Sequence, residues 1–133
     1  MRDSDLERAV ALARATVGAD EDVPAKTYTV RRQDRDESYV IVQLGRTAQP
    51  GWVVAVDVAR DDVMTWAANE TGTTTVPTKR PSKLSSADAE WVWMPSRSSL
   101  SPLYPLLRLS NAEGEWLVDL TGAVTTRPAT GRG

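Results

Sequence analysis

Histidine, cysteine and phenylalanine are absent from the 133 residues, and isoleucine occurs once. Without His or Cys the chain has none of the usual zinc and haem ligands, no thiolate nucleophile, no imidazole base, no iron–sulfur site and no disulfide. No apolar run approaches the ~20 residues a membrane-spanning helix needs, and the N-terminal Met1-Arg2-Asp3-Ser4-Asp5 is charged, so neither a membrane anchor nor a secretory leader is expected and the cytoplasm is the expected compartment. Excess charge of either sign is also lacking. Sixteen basic groups stand against eighteen acidic ones, with a pI near 5.1, which gives no footing for a nucleic-acid surface. What is present is a hydrophobic fraction of 41% in a length that favours one domain with its own core. Thirteen Arg to three Lys, with sixteen Ala and fifteen Val, resemble the coding bias of a GC-rich bacterial genome.

The apolar pattern changes period along the chain. Leu6, Ala9, Val10, Ala13 and Val17 recur at helical spacing, Ser4 and Glu7 have capping-box spacing, and Gly18 stands where a left-handed residue would end the helix. Strand patterns follow at Thr27 to Val30, Tyr39 to Leu44 and Trp52 to Val58, the last expected to be central in the sheet. Val63 to Ala68 reads as a fourth strand in preference to a short helix capped by Asp61 or Asp62. Later strands are expected at Trp91 to Met94, Leu106 to Ser110, Glu115 to Leu120 and Ala123 to Thr126.

Between them, Asn69 to Ser86 turns to Thr, Pro, Ser and Lys and reads as a long exposed loop, while Ser96 to Pro105 is a second Ser- and Pro-rich crossing. The expected architecture is α+β: one N-terminal amphipathic helix packed on an antiparallel sheet of about six to eight strands. It forms a single domain over 1–126, with a flexible C-terminal tail over 127–133. Val56-Asp57-Val58 and Val118-Asp119-Leu120 are alike, but the spacing after them slips by one residue. A common hairpin ending, with the Asp accepting N–H bonds in the turn, explains them better than an internal repeat.

Chemistry has few carriers. Asp57, Asp61 and Asp62 lack the alternating ligands and the Gly of a calcium loop, and the three lysines form no Ser-x-x-Lys motif. A phosphate-binding Gly loop is missing too. No catalytic residue, metal site or cofactor is therefore assigned, and an enzyme using only Asp57 or Asp119 ranks third among the readings. The basic run Lys79-Arg80-Pro81-Ser82-Lys83 is better read as a solvated loop than as a single-strand binding site. Five of the eight aromatics are Trp. Trp52, Trp66 and Trp116 lie on apolar strands and are expected in the core. Trp91 and Trp93, two apart on one strand between polar loops, either close the open end of the core or form an aromatic platform, with Leu103 and Tyr104 beside it in an apolar crossing.

The order of these signatures resembles the YrhB-like family of small polymorphic-toxin immunity proteins. The residues that carry the resemblance are the helix from Leu6 to Val17, Gly51-Trp52-Val53-Val54, and Val118-Asp119-Leu120-Thr121-Gly122-Ala123-Val124. The segment from Thr71 to Pro105 departs from that pattern. The resemblance implies an immunity-type inhibitor that binds a protein partner. With the dearth of catalytic side chains, it makes a non-enzymatic protein-binding module the first expectation, with Trp91, Trp93, Leu103 and Tyr104 as the partner-binding residues. The alternative is a small-molecule or lipid-binding domain whose pocket, lined by Trp and Val, lies between helix and sheet. An exposed sheet edge would also permit a homodimer.

Overall fold

The computed structural model describes residues 2–33, 37–46, 48–94 and 101–128, the last three of them by backbone alone. Helix α1 (Asp3–Val17) precedes eight strands: β1 (Ala25–Arg32), β2 (Glu37–Leu44), β3 (Gly51–Asp57), β4 (Asp62–Asn69), β5 (Asp88–Trp93), β6 (Leu106–Asn111), β7 (Gly114–Val118) and β8 (Val124–Pro128). The fold is α+β, one N-terminal helix on one eight-stranded sheet. The tip of the β1–β2 turn at 34–36, the part of the second crossing at 96–100 and the tail at 129–133 lie outside the described residues. β8 itself runs two residues beyond the expected Thr126.

Strand order is β4-β3-β2-β1-β5-β6-β7-β8. Each half is a four-strand antiparallel meander stepping outward, and the two meet at a parallel seam where Val30, Arg31 and Arg32 pair with Trp91, Val92 and Trp93. The sheet is therefore mixed at this junction, where a wholly antiparallel one is expected from the sequence. The reason is the connection: the chain leaves β4 at the outer edge and recrosses a face of the sheet before β5, and a crossover of that length is what parallel neighbours require. The same order corrects β3, which lies next to the edge, not at the centre.

Helix α1 starts two residues earlier than its capping pattern suggests, with the Arg2 N–H donating to Asp5 Oδ2 at 3.3 Å. It ends at Gly18, whose φ of 69° is the expected left-handed cap. Ala9 and Ala13 are fully buried against Val40, Val42, Leu44, Val54 and Val56, and Leu6, Val10 and Val17 flank them. Two small residues at i and i+4 let the helix axis approach the Val-rich sheet closely. Arg8 ties it further, its Nη2 donating to the Val58 carbonyl at 3.1 Å and its Nε meeting Asp61 at 2.6 Å.

The opposite face is covered by loops. Val76 and Leu103 join Tyr28, Val30, Tyr39, Ile41, Val53, Ala55 and Trp93 in a second core, and Leu84, from a single 3-10 turn, packs on Leu107, Leu109 and Val118. The segment from 69 to 86 is exposed over most of its length, as expected, but Val76, Pro77 and Leu84 are buried and pin it on the sheet as a covering layer. Polar atoms lock the covering loops down: Trp91 Nε1 donates to the Pro77 carbonyl at 2.7 Å and, in the loop between β5 and β6, the Pro102 carbonyl accepts from Tyr39 Oη at 2.6 Å. Arg80, from the basic run, is spent internally on the carbonyls of Ser85 and Ala87 at 3.2 and 3.1 Å.

On the helix side, beyond the reach of α1, the seam carries a ladder of charges. Arg31 donates through Nε and Nη2 to Glu90 at 3.2 and 2.7 Å. Arg108 joins Glu90 at 2.8 Å and Glu115 at 2.6 Å. The Arg31 hydrogen bond, with help from Arg108 and against desolvation, holds the Glu90 carboxyl below the ordinary glutamate range. Because the folded value is depressed, the ladder stabilises the protein above the unfolded pKa and is lost as pH falls through the folded one. Glu90→Gln is expected to cost about 1 kcal/mol at neutral pH, the discounted worth of two partly exposed pairs. Urea unfolding of both proteins should show that difference closing below roughly pH 4.

Candidate functional site

The two Val-Asp endings occupy equivalent stations, the exit of the third strand in each meander. Asp57 Oδ1 accepts from the Arg60 N–H at 3.3 Å and its Oδ2 pairs with Arg60 Nη1 at 2.8 Å. Asp119 Oδ1 accepts from the Thr121 and Ala123 N–H groups at 2.9 and 3.0 Å. The Thr121 hydroxyl, first, and these backbone donors hold its carboxyl below the usual aspartate range. Both carboxylates are turn caps, as their sequence context suggests, Asp57 through both oxygens and Asp119 through Oδ1. No group of three or more Asp and Glu suited to a metal ion occurs among the described residues.

The four residues expected to form a partner surface are not together on one. Trp93 is 8% exposed and Leu103 3%. Trp93 packs edge-on against Tyr39, ring centroids 6.0 Å apart, with the Arg32 guanidinium 4.9 Å from its centroid. Trp91 shares that face, as two-residue spacing requires, and is half-buried edge-on against Tyr28 at 5.2 Å. The open aromatic platform is therefore corrected: loops 73–77 and 101–105 cover this face, so both indoles close the core. Tyr104 alone of the four is exposed.

The pocket expected between helix and sheet is also corrected, since Ala9, Ala13 and the valines of β2 and β3 fill that space. A cleft of about 310 Å³ lies on the other face, lined by Val53, Ala67, Asn69, Thr73, Tyr104 and Leu120. It continues past Thr74 and Leu120 into a second of about 430 Å³ that reaches Lys79 and Asp119.

Trp66 departs furthest from expectation. It sits on β4 and is 49% exposed, its ring 5.6 Å from Trp52 and inclined at 66°. β4 is an outer strand of the sheet, so its outward N–H and C=O groups have no strand beside them among the described residues. An eight-residue edge of sequence Asp-Val-Met-Thr-Trp-Ala-Ala-Asn has neither Pro nor Lys to blunt it. Its one irregularity is a register shift opposite Ala55 and Val56, which leaves Thr65 to Asn69 paired regularly with β3. The strand pattern gives no sign of this, because Trp66 alternates with its neighbours as a core residue would. Only the topology puts β4 outside.

Comparison with protein-family models, with curated proteins and with solved structures finds no match for the chain.

Proposed function

We propose that this protein is a non-enzymatic protein-binding module that adds a strand of a partner protein to β4. The observation that carries the reading is the half-exposed Trp66, backed by Trp52, on an unblunted sheet edge. An exposed indole already braced by a second ring loses little freedom on binding, and backbone groups along the edge supply affinity whatever the partner's sequence. The engagement of Asp57 and Asp119 in turns supports a role without catalysis. Within this reading, the resemblance to immunity proteins favours an inhibitor of the partner it binds.

Affinity capture of the tagged protein from its native lysate, with Trp66→Asp as the control, tests the proposal. The variant is expected to lose only about 1 kcal/mol of stability, the worth of one ring pair at a half-exposed site. It should weaken partner binding by at least about 2 kcal/mol, or about 30-fold. A stoichiometric partner held equally by both proteins overturns the docking face. Recovery of no partner shifts weight to a small ligand in the threonine-rich cleft beside Tyr104.

A further inference from the structure

We infer that the chain received by β4 is an extended segment with an apolar centre and Arg or Lys at both ends, an inference that rests on the docking reading above. The edge is bounded by carboxylates. At one end stand Asp61, whose side chain is 61% exposed, and the exposed Asp62; at the other stands the exposed Glu70. The arginines at the Asp61 end are already engaged. Arg8 serves both Asp61 and Asp5, and Arg60 is held between Glu37 and Asp57. A strand laid along β4 therefore meets exposed carboxylates at each end and, between them, the apolar side chains of Val63, Met64, Trp66 and Ala67. At ~3.4 Å per residue the eight residues span ~24 Å, so the matching cations fall about seven to nine residues apart. An arginine that overshoots toward the centre still finds a favourable surface in the Trp66 ring.

The same charges disfavour a second copy of this protein as the occupant. Antiparallel pairing of all eight β4 residues with themselves sets Asp62 opposite Asn69 and carries Asp61 against Glu70 at both ends of the joint. Like charges opposed across a strand pair are destabilising, so the edge discriminates against itself while remaining open to a basic strand.

The test is a displayed library of random twelve-residue segments, panned on the wild-type protein and counter-selected on Trp66→Asp. The inference expects survivors enriched in Arg or Lys at two positions seven to nine apart around an apolar centre. Their synthetic peptides should bind about tenfold more weakly at high salt, since the attraction is between exposed charges. An Asp62→Asn, Glu70→Gln double variant should lose affinity to a similar degree. Survivors that depend on Trp66 but show no basic enrichment and no salt effect overturn the charge preference and leave the docking edge standing. Binders indifferent to Trp66→Asp, or no binders at all, overturn both. A concentration-dependent dimer in sedimentation that Trp66→Asp dissolves identifies a second copy as the occupant and overturns the basic segment.

Discussion

Replacing Trp93 with Ala is expected to destabilise the protein by about 3–5 kcal/mol, the range for deleting a large aromatic from a core. Trp93 is 8% exposed and touches three parts of the structure at once. It packs edge-on to Tyr39 of β2, lies under Arg32 of β1, and shares a cluster with Val76 and Leu103 from the two covering loops. Its removal opens a cavity under both loops and strips the cation from its ring. Val30, Ile41 and Val53 are fixed in the sheet and cannot collapse into the space, so little of the loss is recovered. Since a domain of this size has only about 5–15 kcal/mol in total, the variant should lie close to its unfolding threshold. Urea unfolding followed by Trp fluorescence measures it: the midpoint should fall sharply with little change in slope. A midpoint within a few tenths molar of wild type would return Trp93 to the surface. Trp66→Asp, which removes the same residue type from the exposed edge, serves as the contrasting control.

The contrast between these two tryptophans shows what the sequence carries and what it leaves out. Local signals were sufficient for the elements. The spacing of Leu6, Ala9, Val10 and Ala13 yields a helix with its buried face, Gly18 ends it, and all eight strand patterns become strands. The Asp caps were equally readable, because an Asx turn is closed by residues within four positions of Asp119. What escaped depends on which strands become neighbours. A period of two puts Trp66 and Trp93 each on one face of its strand, yet cannot say whether a loop returns to cover that face. Nor can it say whether the strand lies at the edge. The parallel seam was illegible for the same reason: the three residue pairs that define it join positions 61 apart. The crossing loop reads as exposed, and most of it is, because its composition is polar over most of its length; what composition does not show is where it is pinned to the sheet. Its burial rests on Val76, Leu84 and the Pro77 carbonyl, which accepts from the Trp91 indole. The partner surface expected at Trp91, Trp93, Leu103 and Tyr104 depends in the same way on which loops return to cover the face.

Gly72→Ala should be nearly as costly as the loss of Trp93, at about 3 kcal/mol or more, although it adds one methyl group to a loop. Two independent penalties meet there. The residue has φ +69°, a left-handed conformation that strains any residue with a Cβ by about 1 kcal/mol or more. A Cβ would also lie 2.5 Å from the Gln49 nitrogen, 2.6 Å from the Ala48 nitrogen and 2.6 Å from the Gln49 oxygen, all backbone atoms that cannot rotate away. The loop leaving β4 is pressed here against the loop between β2 and β3, and the Gln43 amide reaches the Gly72 carbonyl at 3.5 Å. Asn69 Nδ2 fixes the same corner by donating to the Thr73 carbonyl at 2.9 Å. To relieve the contact the corner must lift, and lifting it withdraws Val76, four residues on, from the core. The expected signature is a lower unfolding midpoint together with faster amide exchange over residues 72–77, while α1 and its valine face keep their protection until global unfolding. Uniform loss of protection across the sheet would instead mean that the crossing loop and the sheet unfold as one unit. An unchanged midpoint would show that the two loops do not meet at Gly72 at all.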